Sequence, residues 1–425
     1  MVEKILIVSR HFWPENCRQN NLCENLTALG LKTDILCGQP SSKNGEYWKE
    51  YGAFKVRREV HNKLNIYRTV DVKKGNNSSI SIFQNYLTFP IAALFLLKKL
   101  IKNKYDAVLV YQTSPVFMCL PALKISKKMN LPLYIYVADL WPQSSYGVLD
   151  VQSSLFQKIL HRISMHFYKS ASKLVVPSEK IKKYFLDELG YADDQIVIIN
   201  RPPLAEYEAE ERDDDYLEKV AGSFNLLMIG DFNGQISVNT IVNTAEFMRK
   251  DFIRDIRFIV LGKDEKIQEL QKEVHKRSLH DYFFFEGEVK PDKIGKYIHI
   301  ADALLGVLRP DLMNGYMVPE QAIDYFAAGK LLIFSAGGIL RDAMKKAGCG
   351  LVSEPEDVLA LYNNIMKIYH MSPENRTQME NQARAFRQKY FNRMEIAEKL
   401  KKVICGEQIT DQMSDDSTIQ KLWDL

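Results

Sequence analysis

Short runs of apolar, β-branched residues recur along the first half of the chain: Ile5–Ser9, Thr33–Leu36, Ala107–Tyr111, Leu133–Val137, Lys173–Val176 and Ile196–Ile199. Between them, Gln19–Leu29, Ile91–Lys102 and Phe117–Lys128 carry helical periodicity. Strands that are apolar on both faces must be covered on both faces, and helices between them do this in a parallel sheet. The pattern then repeats. Phe224–Ile229, Arg257–Leu261, Tyr282–Glu286, Ala303–Val307, Leu331–Phe334 and Gly350–Val352 read as strands, and Val238–Arg249, Lys266–Lys276 and Glu320–Ala328 as helices. The fold class expected is α/β, with two doubly wound, Rossmann-like domains.

Length agrees, because 425 residues exceed what one ordinary core holds. The joint is expected near Asn200-Arg201-Pro202-Pro203, where an acidic run from Glu206 to Asp215 follows. Two prolines and a series of like charges resist packing. The expected division is an N-terminal domain at 1–200, a linker at 201–222 and a C-terminal domain at 223–372. A long helix, from about Glu374 to Lys402, fills 373–403, and a polar tail covers 404–425. The other reading of the acidic run is a surface loop within one domain.

Charge and composition narrow the class. Lys+Arg number 57 and Asp+Glu 53, a net charge of +4, which gives no general basic surface for nucleic acid. The six cysteines form no C-x-x-C pair, so a disulfide framework or structural zinc is not expected, and a reducing, cytoplasmic setting is. The chain enters a strand pattern at once, without signal-peptide architecture. Its longest apolar run, Phe89–Leu97, stops at Lys98 and Lys99, short of the roughly 20 residues a spanning helix needs. Residues 87–104 join that run to Lys98, Lys99, Lys102 and Lys104, which suits an amphipathic helix on an anionic membrane surface or a core helix with a basic end.

Walker, H-E-x-x-H, G-x-S-x-G and G-x-G-x-x-G patterns are missing. Doubly wound domains bind ligands at the carboxyl ends of their strands, and two facing one another form a cleft. The most informative stretch is Val318-Pro319-Glu320-Gln321-Ala322-Ile323-Asp324-Tyr325-Phe326-Ala327-Ala328-Gly329-Lys330. Pro319 suits a helix start and Gly329 a helix end. Such a helix N-terminus attracts a diphosphate, and Asp324, one turn in, could accept hydrogen bonds from a ribose. The plain alternative is a capped helix with an exposed acid.

This stretch resembles the P-S-K-x-x-E-Y-x-A-A-G-K-P signature of retaining GT-B glycosyltransferases of family 4. Ser9–Asn16 resembles the first acceptor-side loop of the subgroup that builds bacterial O-antigens and capsules. Val137–Ser144 resembles that subgroup's Q-D-L-W-P-E-S, and Val175–Ser178, Gly230–Gln235 and Ala347–Gly350 are similar to other family segments. The departures are Tyr316 in place of the first acid of the E-x7-E pair, Gln321 in place of the usual Lys, Ala138 where a His is frequent, and no evident basic clamp in the loop with Asp231 and Gln235.

The resemblance implies the GT-B fold and transfer of a sugar, with retention, from a nucleotide-diphosphate donor. That donor is expected to be UDP-linked, with an N-acetylated amino sugar suggested by the subgroup, and the acceptor a lipid-linked saccharide. No cofactor or metal is implied. Donor contacts fall to Gly230, Asn233, Arg309, Pro319, Glu320, Gln321 and Asp324, with the base near Gly262–Asp264 and Gly287–Val289. Acceptor contacts fall to Trp13, Glu15 and Asn16, and Asp139 is the polar group expected at the reaction centre, or else a cap for the following turn. The departures leave open a catalytically silent GT-B-shaped subunit that supports a partner transferase. A nucleotide-sugar epimerase of similar fold fits the two best segments less well.

Overall fold

The computed structural model describes residues 2–41, 46–52, 55, 57–71, 79–148, 153–208, 222–230, 232–310 and 315–407. The expected acidic run from Glu210 to Asp215 and most of the polar tail lie outside these residues, as does Asp231. The chain divides into two compact units. One comprises Met1–Pro202 with Arg393–Asp416, and the other is centred on Pro203–Asn392.

Among the described residues the first unit has eight strands: β1 (Lys4–Val8), β2 (Lys32–Gly38), β3 (Arg58–His61), β4 (Leu64–Thr69), β5 (Ala107–Gln112), β6 (Leu133–Val137), β7 (Lys173–Val176) and β8 (Ile196–Ile198). Their order is β3-β4-β2-β1-β5-β6-β7-β8, parallel except for the β3–β4 hairpin. The helices are α1 (Arg18–Ala28), α2 (Ser79–Leu94), α3 (Leu97–Leu100), α4 (Cys119–Met129), α5 (Gln143–Val148), α6 (Ser154–Lys169) and α7 (Glu179–Leu189). From β4 onward every crossover moves the same way along the sheet. Right-handed connection therefore puts α2, α4, α6 and α7 on one face, and α1, which joins β1 to β2 in the opposite direction, on the other.

In the second unit the strands are β9 (Phe224–Ile229), β10 (Ile256–Leu261), β11 (Phe283–Gly287), β12 (Ala303–Val307), β13 (Leu332–Ser335) and β14 (Gly350–Ser353). Their order is β11-β10-β9-β12-β13-β14, all parallel. The helices are α8 (Val238–Lys250), α9 (Glu265–Lys276), α10 (Ile294–Ile300), α11 (Glu320–Ala328), α12 (Gly338–Ala347), α13 (Val358–Tyr369) and α14 (Pro373–Tyr390). Two Rossmann-like α/β units with parallel sheets are thus present, each around its own buried apolar cluster.

Three elements differ from the sequence pattern. The hairpin β3–β4 has too many polar residues to stand out as a strand pair; it turns at Asn62 and Lys63, both with positive φ. The expected helix from Glu374 to Lys402 is two helices, α14 and α15 (Arg393–Cys405). The break falls at Phe391, which is buried and stacked on Phe326 at 5.4 Å. Helix α15 belongs to the first unit, where Ile396, Ala397, Leu400, Val403 and Ile404 join the core beside Leu22 and Leu26 of α1. Lys401 there donates to the Leu29 carbonyl at 2.7 Å. The start of the expected linker also packs: Tyr207 is buried in the second unit's core, where its ring lies 6.4 Å from that of Tyr325. An aromatic and a leucine among the acids outweigh the charge there. Among the described residues no helix is long and apolar enough to cross a membrane.

Candidate functional site

In the second unit the carboxyl ends of β9, β10 and β11 are tied in series. Gly230 N–H donates to Leu261 O at 2.8 Å, and Gly262 N–H donates to Gly287 O at 2.7 Å. The loops expected to hold donor phosphate and base are therefore neighbours. The backbone crowds here: a Cβ on Gly262 would lie 3.4 Å from Gly230 Cα, and one on Gly230 would overlap Gln321 Nε2. Gly230, Phe232, Asn233 and Gly234 all have positive φ, a conformation that costs a non-glycine residue about 1 kcal/mol or more. Phe232 is held in it by burial, edge-on to Tyr325 and Phe334. Arg309 closes the turn from the end of β12. Its backbone N–H donates to Gln235 O at 2.8 Å and its guanidinium to Gly234 O at 2.7 Å.

Helix α11 meets this turn. Pro319 occupies its N-cap and, having no polar side chain, makes no side-chain cap bond itself. Gln321 donates through Nε2 to Ile229 O at 2.8 Å, and Ile229 N–H donates to the Tyr325 hydroxyl at 2.8 Å. One helix face thus clasps the last residue of β9. Burial pushes the Tyr325 phenol well above its ordinary pKa, so it stays a neutral hydroxyl. Asp324, on another face, is fully buried, and its Oδ1 accepts the Leu204 N–H at 2.9 Å. The acid is therefore not the exposed one of the plain alternative, and it has no accessible surface for a ribose in this conformation. Glu320 is half-buried in the first turn, Tyr316 exposed and Asn233 exposed.

In the first unit, Asp139 lies two residues past the end of β6, half-buried. Its Oδ2 accepts the Ser144 hydroxyl at 2.8 Å, and its carbonyl accepts the Trp141 N–H at 3.1 Å. Trp141 is fully buried and donates through Nε1 to Ser114 Oγ at 3.1 Å. Beneath the loop, the buried Arg201 donates to Ala138 O at 3.2 Å. The sequence pattern did not single out Arg201; the cue was an arginine between a strand and two prolines.

The loop after β1 is held as firmly. Glu15 Oε2 meets His11 Nδ1 at 2.8 Å, and its Oε1 accepts the Ser41 N–H at 2.7 Å. Both carboxylate oxygens are thus engaged within the unit. Trp13 stacks on His61 at 4.0 Å, and its carbonyl accepts from the buried Arg68. Asn16 is exposed. Arg10, also unforeseen, forks onto Asp71 at 2.8 and 3.0 Å and reaches Asn85 Oδ1 at 2.7 Å, pinning the loop to α2.

The structure therefore brings Gly230 and Gln321 together, two residues past Pro319 in α11, with Asn233 in the same turn as Gly230 and Arg309 bonded to that turn from the end of β12. In the first unit Trp13 and Glu15 lie on one ordered loop.

Residues 20–202 match the family described as Glycosyltransferase Family 4, and residues 210–386 match Glycosyl transferases group 1. With two Rossmann-like units of this topology, the chain is a GT-B glycosyltransferase of the family 4 type. Among solved structures it is similar to a sucrose-phosphate synthase from Thermosynechococcus elongatus, with 17% identity and a TM-score of 0.69 over 95% of this chain and 98% of that one. It is similar to Anabaena Alr3699/HepE in complex with UDP and glucose, with 12% identity and a TM-score of 0.64 over 95% and 99% of the two chains. It also resembles WaaG, a glycosyltransferase involved in lipopolysaccharide biosynthesis, with 14% identity and a TM-score of 0.63 over 95% and 100%. At these identities the likeness is one of fold. No curated protein matches the chain.

Proposed function

We propose that this chain is a retaining glycosyltransferase that moves a sugar from a UDP-linked donor, an N-acetylated amino sugar by subgroup resemblance, to a lipid-linked saccharide in surface-polysaccharide assembly. The observation that carries this reading is the meeting of the Gly230–Gln235 turn with the Pro319 start of α11, through Gln321. A turn of successive residues with positive φ, next to a helix N-terminus, offers backbone N–H groups and a dipole to an anion. A donor diphosphate suits both. In a site without the usual basic clamp, these dipoles and Arg309 supply the stabilisation of the departing diphosphate, with no metal needed. The base lies along Gly262–Asp264 and Gly287–Val289, with Asn233, Pro319, Glu320 and Gln321 around the sugar diphosphate. Asp324 serves the donor side through its hold on Leu204. Anabaena Alr3699/HepE, solved with UDP and glucose, supports a UDP-linked donor.

The acceptor binds the first unit at Trp13, Glu15 and Asn16, and Asp139 is the polar group at the reaction centre. Residues 87–104 rest on the inner face of the cytoplasmic membrane and place the enzyme beside a lipid-linked acceptor. The test is transfer by the purified chain from a series of UDP-sugars to a polyprenyl-diphosphate saccharide, with the anomeric configuration of the product read by NMR. Retained configuration supports the reading, and an inverted product overturns it.

The burial of Asp324 favours one second reading, a GT-B-shaped subunit without catalysis that supports a partner transferase. Slow hydrolysis of a UDP-sugar by the chain alone separates the two, because the silent subunit gives none.

A further inference from the structure

Between Val72 and Ser178 the sequence holds thirteen Lys and Arg but only three acids, Asp106, Asp139 and Asp150, whereas the whole chain is nearly balanced at +4. This segment supplies α2, α3, α4 and α6, and none of these four helices contains an acid. Helices α2 and α6 both pack against α4, on the sheet face fixed by the common crossover direction.

Five of the twelve large apolar side chains exposed among the described residues lie on this face: Ile91 and Phe95, at 50% and 83% exposure, and Leu155, Phe156 and Ile159, at 68%, 39% and 46%. Their arrangement repeats. Ile91, Phe95, Lys98 and Lys102 are spaced i, i+4, i+7 and i+11, and so are Leu155, Ile159, Arg162 and His166. Each series puts apolar residues first and basic ones after. Lys158 and Arg162 are exposed on α6, and Lys124, Lys127 and Lys128 on α4 between the two series. The next helix to contain acids is α7, where Glu188 pairs with His161 at 3.1 Å.

We infer that α6 is a second membrane-docking element, and that α2–α3, α4 and the amino-terminal half of α6 form one surface that binds an anionic bilayer. The inference rests on the reading that residues 87–104 meet the membrane, and adds to it an element the sequence pattern did not mark. Charge decides the occupant. An apolar fringe on helices that contain no acid, backed by Lys and Arg on three of them, suits an anionic headgroup layer, where each Lys or Arg near the surface strengthens binding about fivefold. A second copy of this face would meet it with like charge.

The test is co-sedimentation of the full chain with vesicles of phosphatidylglycerol and phosphatidylcholine, against phosphatidylcholine alone. Wild type is expected to partition to the anionic vesicles and to weaken as salt rises. Leu155→Ser/Ile159→Ser and Ile91→Ser/Phe95→Ser should each lower that partition at least tenfold, and Lys158→Gln/Arg162→Gln about fivefold per residue. All of these positions are exposed, so unchanged melting temperatures are expected. If the α6 variants bind like wild type while the α2 variant does not, the inference fails and the 87–104 reading stands. If wild type binds neither vesicle, both fail. If Leu155→Ser/Ile159→Ser changes only the sedimentation velocity of the protein alone, the face is a self-association surface and the inference is overturned.

Discussion

Asp324 Oδ1 accepts the backbone N–H of Leu204 at 2.9 Å, across 120 positions of sequence. The carboxylate is fully buried, so this contact holds the first residues of the second unit, Pro203–Glu208, against α11. The same helix clasps β9 through Gln321 and Tyr325. Asp324→Ala removes the acceptor and leaves the Leu204 N–H without it. Leaving a buried N–H unsatisfied costs about 1–3 kcal/mol, and chemical denaturation should register a loss of that order. An unchanged midpoint would contradict the structural role.

Two glycines of one turn should respond differently. Gly230 and Gly234 both have positive φ, so an alanine at either costs about 1 kcal/mol of backbone strain. At Gly230 the new Cβ also overlaps Gln321 Nε2, whereas at Gly234 nothing lies within 4 Å. Gly230→Ala is therefore expected to lower nucleotide affinity by about tenfold or more, through displacement of the Gln321 amide from Ile229, and Gly234→Ala to leave affinity nearly unchanged. Calorimetric titration of both variants checks this. Equal effects would dismiss the Gln321 contact as the determinant.

Asp139→Asn keeps the side-chain shape and an acceptor for the Ser144 hydroxyl but removes the charge. If Asp139 acts at the reaction centre, kcat falls about 100-fold or more while donor affinity holds. Ser144→Ala serves as the control for loop position. Wild-type turnover in Asp139→Asn would remove Asp139 from the mechanism.

Acid sensitivity has an identifiable local contributor. Asp106 Oδ2 accepts the Glu3 and Lys4 N–H groups, both at 2.9 Å, and these bonds lower its pKa below the ordinary 3.8. A depressed carboxylate adds stability above its unfolded-state pKa and loses it as pH falls through the folded value. Wild type should therefore exceed Asp106→Asn in stability at neutral pH, with the gap closing below pH 3.8. Urea melts across that range measure it, and a gap that widens in acid would reverse the assignment.

Much of the fold was legible because buried parallel strands need apolar residues on both faces, as in Leu133–Val137 and Phe224–Ile229. Helix α11 was legible to the residue, because Pro319 and Gly329 mark its two ends. The β3–β4 hairpin was not, since an edge pair with polar residues carries no such signal. The break between α14 and α15 was hidden because it depends on Phe391 finding Phe326 in the core, not on a local breaker. In the candidate site, the turn-forming glycines and the helix start were written locally. The partners of Asp324 and Glu15 were not: Leu204 and Ser41 act through backbone N–H groups, which side-chain identity does not reveal.

A UDP-linked donor bound where the Gly230 turn meets α11 should reveal itself in thermal unfolding of the purified chain with UDP, GDP, dTDP, CMP and ADP. A ligand at 100 times its Kd stabilises by about 2.7 kcal/mol, a readily measured rise in Tm. UDP should give that rise, well above the others, and Gly230→Ala should lose it. A larger rise with another nucleotide, or none with any of the five, would rule out a UDP donor at this turn.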